Sequence, residues 1–251
     1  MRRLSRTVWF YIAVVTLAAC VLIARGPFTG IGWFRLAVLA LLFLVCDSTP
    51  TPLMPRRVAW SPSTSATLAS VVILGPVGAA IVGAVSVLSV RRGLLVAQRA
   101  FNGGMYALSA YAAGWTFMTL HGGVGIPDSK SFPGIIGPFA VAAAVGVISN
   151  HVLVAGVLWL TRNSEGATQK KRITLGIPLM LSDLGYAAFG LLIAALWSVV
   201  GAFAAILVLI PLFVARWAIG QYAEQQRAYE ATMAALCKAV ETKDFYTRGH
   251  S

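Results

Sequence analysis

Seven apolar stretches, separated by short turns or basic loops, fill the chain between Val8 and Trp217. A helix needs about 17–25 mostly apolar residues to cross a hydrocarbon core of about 30 Å. Inside that core the backbone must satisfy its own polar groups, so the choice narrows to helices or a closed barrel. Runs of this length are too long for barrel strands, and the expected fold class is all-α: a polytopic membrane helix bundle. Composition agrees, with 58% hydrophobic and only 11% charged residues, against about 25% charged in soluble domains.

The net charge of +12 comes from 20 Lys and Arg against 8 Asp and Glu. The basic residues sit in short loops between apolar runs, the arrangement that the positive-inside rule produces, so the charge marks sidedness and not nucleic acid. Met1-Arg-Arg-Leu-Ser-Arg6 followed by Leu17-Ala-Ala-Cys20 resembles a signal peptide with a lipoprotein box, but Val21–Ala24 continues the apolar run. An uncleaved first span is the better reading. Cys20, Cys46 and Cys237 form no CxxC or Cys/His cluster, so neither zinc nor a disulfide framework is indicated.

The expected spans are Val8–Ala24, Ile31–Cys46, Ala97–Leu120, Ile135–Leu160, Leu184–Val199 and Ala202–Trp217. Between the second and third lies a polar loop, Asp47 to Thr64, in which Pro50, Pro52, Pro55 and Pro62 forbid regular helix. Ser65–Val90 then runs apolar but is broken by Gly75-Pro76, with Arg56 and Arg57 before it and Arg91, Arg92 and Arg99 after it. If both flanks lie on one side, each half is too short to cross. A hairpin of two half-helices turning at Gly75-Pro76 is the favoured reading, and one kinked span the alternative. Ser109, Ala113 and Gly114 offer a small-residue packing face. About six full spans plus the half-helix hairpin put every basic cluster, and both termini, on the cytoplasmic side.

Arg35, Asn150, His151 and Asp183 lie in or near the ends of apolar runs. Ionisable groups there are costly and often functional. Asn150, His151 and Asp183 fall toward the inner half and could pair as a ligand pocket or a proton-sensitive site. Interhelical hydrogen bonding, with Arg35 snorkelling outward, is the plainer alternative. Trp33, Trp115, Trp197 and Trp217 near span ends read as interface anchors. There is no HExxH, P-loop, nucleophile elbow or dinucleotide fingerprint.

After Pro211 the last span continues without a breaker into a cytoplasmic helix. Tyr222, Gln226, Tyr229, Met233, Leu236 and Val240 alternate at four- and three-residue spacing, a short heptad seam. It suits a homodimer through residues 218–240, or one amphipathic helix packed on its own domain.

The stretch Thr232-Met-Ala-Ala-Leu-Cys-Lys-Ala-Val-Glu-Thr-Lys-Asp-Phe-Tyr-Thr-Arg-Gly-His-Ser251 resembles the start of an HD-GYP domain, a metal-dependent phosphohydrolase of the HD superfamily. The resemblance rests on Ala235, Leu236, Ala239, Glu241, Lys243, Asp244, Tyr246, Thr247, Gly249, His250 and Ser251; Phe245 stands where the family usually has Pro. It implies that His250 takes the place of the first ligand of a site for divalent metals, Fe or Mn, in the intact parent domain. Such ions would generate hydroxide for phosphoryl chemistry, and the substrate commonly hydrolysed is cyclic di-GMP. No catalytic set is complete in this chain, since the HD dyad and Gly-Tyr-Pro loop do not appear, so this stretch alone is expected to be inactive and to need no cofactor. The expected organisation is a transmembrane sensor module at 1–217, a helical signalling linker at 218–230 and a truncated start of the HD-GYP domain at 231–251. The module would sit in a bacterial plasma (inner) membrane as the sensory region of a cyclic di-GMP phosphodiesterase, with the lipid bilayer as a partner and no nucleic acid. The Gly-Pro segment and Phe101-Asn102 are similar in texture to substrate-binding subunits of vitamin transporters, which keeps a small-solute transporter or binding subunit as the alternative.

Overall fold

A computed structural model describes residues 5–48, 51–52, 59–60, 62–90, 94–128, 130, 132–162 and 170–248. Its helices are α1 (Arg6–Arg25), α2 (Trp33–Ser48), α3 (Ser63–Ala84, prolonged by a 3-10 turn at Val85–Leu88), α4 (Val96–His121), α5 (Phe132–Arg162), α6 (Lys170–Val200) and α7 (Phe203–Arg248). Two compact units divide the chain: residues 1–50 with 61–209, and residues 51–60 with 210–251. The first unit ends at Leu209, some way before the expected boundary at Trp217.

The first unit is an all-α bundle, as the apolar runs dictate. Ser5 starts α1 by accepting a hydrogen bond from the Val8 amide, which satisfies one orphan donor of the first turn. Gly122 ends α4 in the left-handed region, its N–H donating to the Met118 carbonyl. Gly201 does the same for α6 at φ 58, donating to Trp197 and letting α7 start at once. The second unit holds a two-residue antiparallel pair, β1 (Thr51–Pro52) with β2 (Ala59–Trp60), and α7 from Ile210 onward.

Among the described residues, five helices are long and apolar enough to cross a membrane: Arg6–Arg25, Ser63–Leu88, Phe132–Thr161, Asp183–Val200 and Phe203–Val240. α2 is shorter, with 16 residues, and α4 carries Gln98, Arg99 and Asn102 in its first turns. Large apolar side chains such as Phe10, Leu17, Phe34, Leu41 and Trp159 are exposed. Water would not tolerate so much, whereas lipid does.

Ser63–Leu88 passes the length test yet is not one rod. Gly75 has φ 72 and ψ −168, which cuts the helix in two. The second half packs antiparallel to α4: a Cβ on Gly114 would meet Pro76 Cα at 2.6 Å, and one on Gly83 would meet the Tyr106 carbonyl at 2.7 Å. The first half lies against the same turns, because Thr64 and Thr67 share a cavity wall with Tyr106, Ser109 and Ala113. The chain therefore doubles back. The tip reaches the α4–α5 connection, where the Gly125 amide donates to the Val72 carbonyl at 2.9 Å. Each half is about 14–18 Å long at 1.5 Å per residue, well short of the hydrocarbon core. Nearly every residue from Ser63 to Gly83 is buried, so the broken backbone is shielded by protein, as it must be at that depth.

Several expectations need correction. Trp197 is not an interface anchor but a core residue, 5% exposed, whereas Trp33, Trp115 and Trp217 are exposed. Asp47 does not open the polar loop: it lies in the last turn of α2, 1% exposed, and accepts a hydrogen bond from Ser86 Oγ at 3.2 Å. The helix that carries the expected span Leu184–Val199 is longer than that run: α6 starts at Lys170.

Candidate functional site

α6 packs on the first half of α3, and α5 packs on α4 and α6, which brings several polar residues of the spans together. Gly190 lets α6 approach α3 closely, since a Cβ there would lie 2.8 Å from the Ser65 carbonyl. Ser65 Oγ then donates to the Tyr186 carbonyl at 2.9 Å. That register places Asp183 one helical turn away, opposite Thr64, whose Oγ1 donates to Asp183 Oδ1 at 3.4 Å. Gly146 gives α5 a similar approach to Ala113 and Ser109 of α4. Tyr11 of α1 braces the other face of α5, its hydroxyl donating to the Leu153 carbonyl at 3.1 Å.

His151 projects from α5 toward Asp183, with Nε2 3.8 Å from Oδ2. Both side chains are largely buried. His151 Nδ1 lies 2.9 Å from the Val147 carbonyl. A carbonyl only accepts, so Nδ1 carries a proton. Asp183 also faces an adjoining space.

That space is a cavity of about 30 Å³ lined by Thr64, Thr67, Ser109, Tyr106, Asn150 and Asp183 together with apolar neighbours. It offers room for one or two water-sized guests. Tyr106 is held edge-on against Phe43, their ring centroids 5.4 Å apart.

The structure thus brings together Asn150, His151 and Asp183. Arg35 does not join them: it lies in the first turn of α2, half-buried, beside Gly32. Of the motif residues, Asp244, Tyr246 and Thr247 fall within α7, while Gly249, His250 and Ser251 lie outside the described residues. Among the described residues no group of three or more His, Cys, Asp or Glu side chains comes together. The cysteines Cys20, Cys46 and Cys237 form no disulfide.

Sequence reasoning missed Thr64 and Thr67, and took Ser109 only as part of a packing face and not of the cavity wall. Their signal was present as hydroxyls three residues apart at the start of an apolar run, and one more in a small-residue face.

The chain matches no protein-family model, and no curated protein or solved structure is significantly similar to it.

Proposed function

We propose that this chain is the membrane-embedded sensory and coupling region of a cyclic di-GMP phosphodiesterase of the HD-GYP type, seated in a bacterial inner membrane with both termini cytoplasmic. One observation carries the reading: α7 is assigned as one helix from Phe203 to Arg248, with Pro211 inside it, so one element contains both the residues after the α6–α7 turn and the residues that resemble the HD-GYP start. The input would be the polar cluster of Asn150, His151 and Asp183, whose α6 member shares a helix with the Gly201 turn. The output would be the α7 seam, where Tyr222, Tyr229, Met233, Leu236 and Val240 are all exposed and available to a second copy. A cavity of about 30 Å³ is far below the about 300–1,000 Å³ of organic-ligand pockets, which argues against a vitamin-sized solute there.

Reading the coding sequence beyond Ser251 tests this directly. A downstream His-Asp pair and Gly-Tyr-Pro loop are expected, and a stop codon with neither refutes the enzyme. In the full-length protein, replacing His250 by Ala should abolish metal-dependent hydrolysis of cyclic di-GMP. Replacing His151 or Asp183 by Ala should change the stimulus response but leave the metal content intact.

A further inference from the structure

His151 and Asp183 meet across a line between two differently anchored parts of the bundle. α5 is held on α1, where the Tyr11 hydroxyl donates to the Leu153 carbonyl, and on α4, where Gly146 admits the Ala113 methyl group. α6 is held on α3, where the Ser65 hydroxyl donates to the Tyr186 carbonyl and Gly190 admits the Ser65 backbone. Asp183 belongs to the second set, since its Oδ1 accepts from the Thr64 hydroxyl at 3.4 Å. Its other oxygen, Oδ2, is turned to His151 Nε2 across 3.8 Å.

The imidazole can change at one end only. Nδ1 lies 2.9 Å from the Val147 carbonyl, which accepts and never donates, so Nδ1 keeps its proton in either charge state of the ring. Nε2 is the atom that gains or loses one. Histidine is the side chain whose charge ordinarily changes between about pH 5 and 8. A proton taken up here lies between Nε2 and Oδ2, whichever atom holds it, so the outcome does not depend on assigning it to one residue of the pair. The hydrogen bond it makes rests at about 2.7–2.9 Å, about 1 Å less than the gap. Closing that gap draws α5 and α6 together. Room for the movement is present, because the cavity of about 30 Å³ beside the pair is lined by Val147 and Asn150 from α5 and by Asp183 from α6.

The other groups that face the pair hold one charge state across this range. α3 presents Thr64 and Thr67, α4 presents Tyr106 and Ser109, and α5 adds Asn150. The Thr67 and Ser109 hydroxyls donate to the Ser63 and Met105 carbonyls of their own helices at 3.1 and 2.9 Å. Tyrosine does not ionise between about pH 5 and 8. Among the described residues, no Lys, Arg or Glu lines this cavity.

We infer that His151 and Asp183 form a proton-operated clasp between α5 and α6: one proton taken up between Nε2 and Oδ2 closes it, and its loss lets the two helices part. The separation of 3.8 Å is that of the open clasp. The cavity contributes space and no ligand. Only the service of the clasp as the sensory input rests on the function proposed above. Because the closed form holds the extra proton, its stabilisation is present at low pH and is lost as the pH rises through the range in which that proton leaves.

The test uses the purified chain in nanodiscs of zwitterionic lipid. His121 and His250, the other two histidines of the chain, are replaced by Gln so that 15N-histidine NMR reports His151 alone. Between about pH 8.5 and about pH 5.5, Nε2 should gain a proton while Nδ1 stays protonated throughout. The melting temperature should rise by about 2–4 °C or more over the same interval. Asp183→Asn should remove that rise, because an amide satisfies Nε2 without a proton, and His151→Gln should remove it equally. The double variant should lose no more than either single one. Should these variants fail to fold, the NMR titration of the intact pair still decides. An Nε2 that does not change over this range overturns the clasp, as does an Nδ1 that loses its proton or a melting rise that survives Asp183→Asn. No arm depends on phosphodiesterase activity, so losing the enzyme reading leaves this result standing.

Discussion

Gly114 is the point at which the hairpin of α3 can be tested most sharply. A Cβ on Gly114 would stand 2.6 Å from Pro76 Cα and 2.9 Å from Pro76 N. Carbon atoms rest about 3.5–4.0 Å apart, so Gly114→Ala forces α4 and the hairpin tip to separate by about 1 Å. Backbone, unlike the end of a flexible side chain, cannot swing aside. A gap of that size forfeits about a quarter to a half of each contact well. If about forty atom pairs at about 0.1–0.2 kcal/mol line the face, the loss is about 1–4 kcal/mol, in keeping with about 1–3 kcal/mol for overpacked cores. Alanine returns up to about 1 kcal/mol through helix propensity, so a net loss of about 1–2 kcal/mol is expected. Gly185→Ala is the control, since nothing lies within 4 Å of a Cβ there; it should be neutral or stabilising by up to about 1 kcal/mol. Reversible unfolding in mixed micelles measures both. If Gly114→Ala is as stable as Gly185→Ala, the close approach of α4 to Pro76 is wrong.

In a background without native cysteines, Val90→Cys and Leu95→Cys should label from the same membrane side as Ser5→Cys, and Phe28→Cys and Val124→Cys from the other; Val90 labelling with Phe28 would restore a single kinked span. Trp197→Ala should cost about 3–5 kcal/mol because the ring is buried in the core, whereas Trp115→Ala, on the exposed surface, should change stability by less than about 1 kcal/mol, and equal losses would contradict the placement. Tyr229→Cys and Met233→Cys should oxidise to dimers in the membrane more readily than Ala231→Cys, and equal yields at all three would remove the seam. Swapping Asp183 for Leu removes a largely buried ionisable group and should leave the bundle at least as stable; a loss of more than about 3 kcal/mol would show instead that its contacts with Thr64 and His151 hold α6 in place.

The fold was legible where physics acts locally. Run length located the helices, although of the six expected full spans only four, those at α1, α5, α6 and α7, are long and apolar enough to cross, and the combination of Gly75-Pro76 with basic flanks on both sides gave the hairpin from a simple comparison of half-helix length with membrane thickness. The pairing of His151 with Asp183 also followed, because charges in apolar runs have few places to go. The cavity wall did not follow. Thr67 and Ser109 bond to carbonyls on their own helix, as countless membrane-helix hydroxyls do, and only the cross-helix register set by Gly190 and Gly146 makes them neighbours. Asp47 was misread because a carboxylate beside a proline-rich stretch resembles a loop start, and its burial depends on Ser86, distant in sequence. Trp197 was misread for a related reason: proximity to a helix end suggests an interface, but which way the ring faces is decided by packing.

The burial of α3 bears on how the protein assembles. Its mean hydropathy over the best window, 2.4, is the highest of the five candidate spans, yet 67% of that window is buried in protein. The most lipid-soluble segment is thus the one least in contact with lipid. With its backbone interrupted at Gly75, it would leave polar groups open to hydrocarbon if inserted alone. The helices packed around it, α2, α4 and α6, supply that shelter. Since it doubles back at Gly75 and adds no crossing, it fills the core without altering the orientation of any later span.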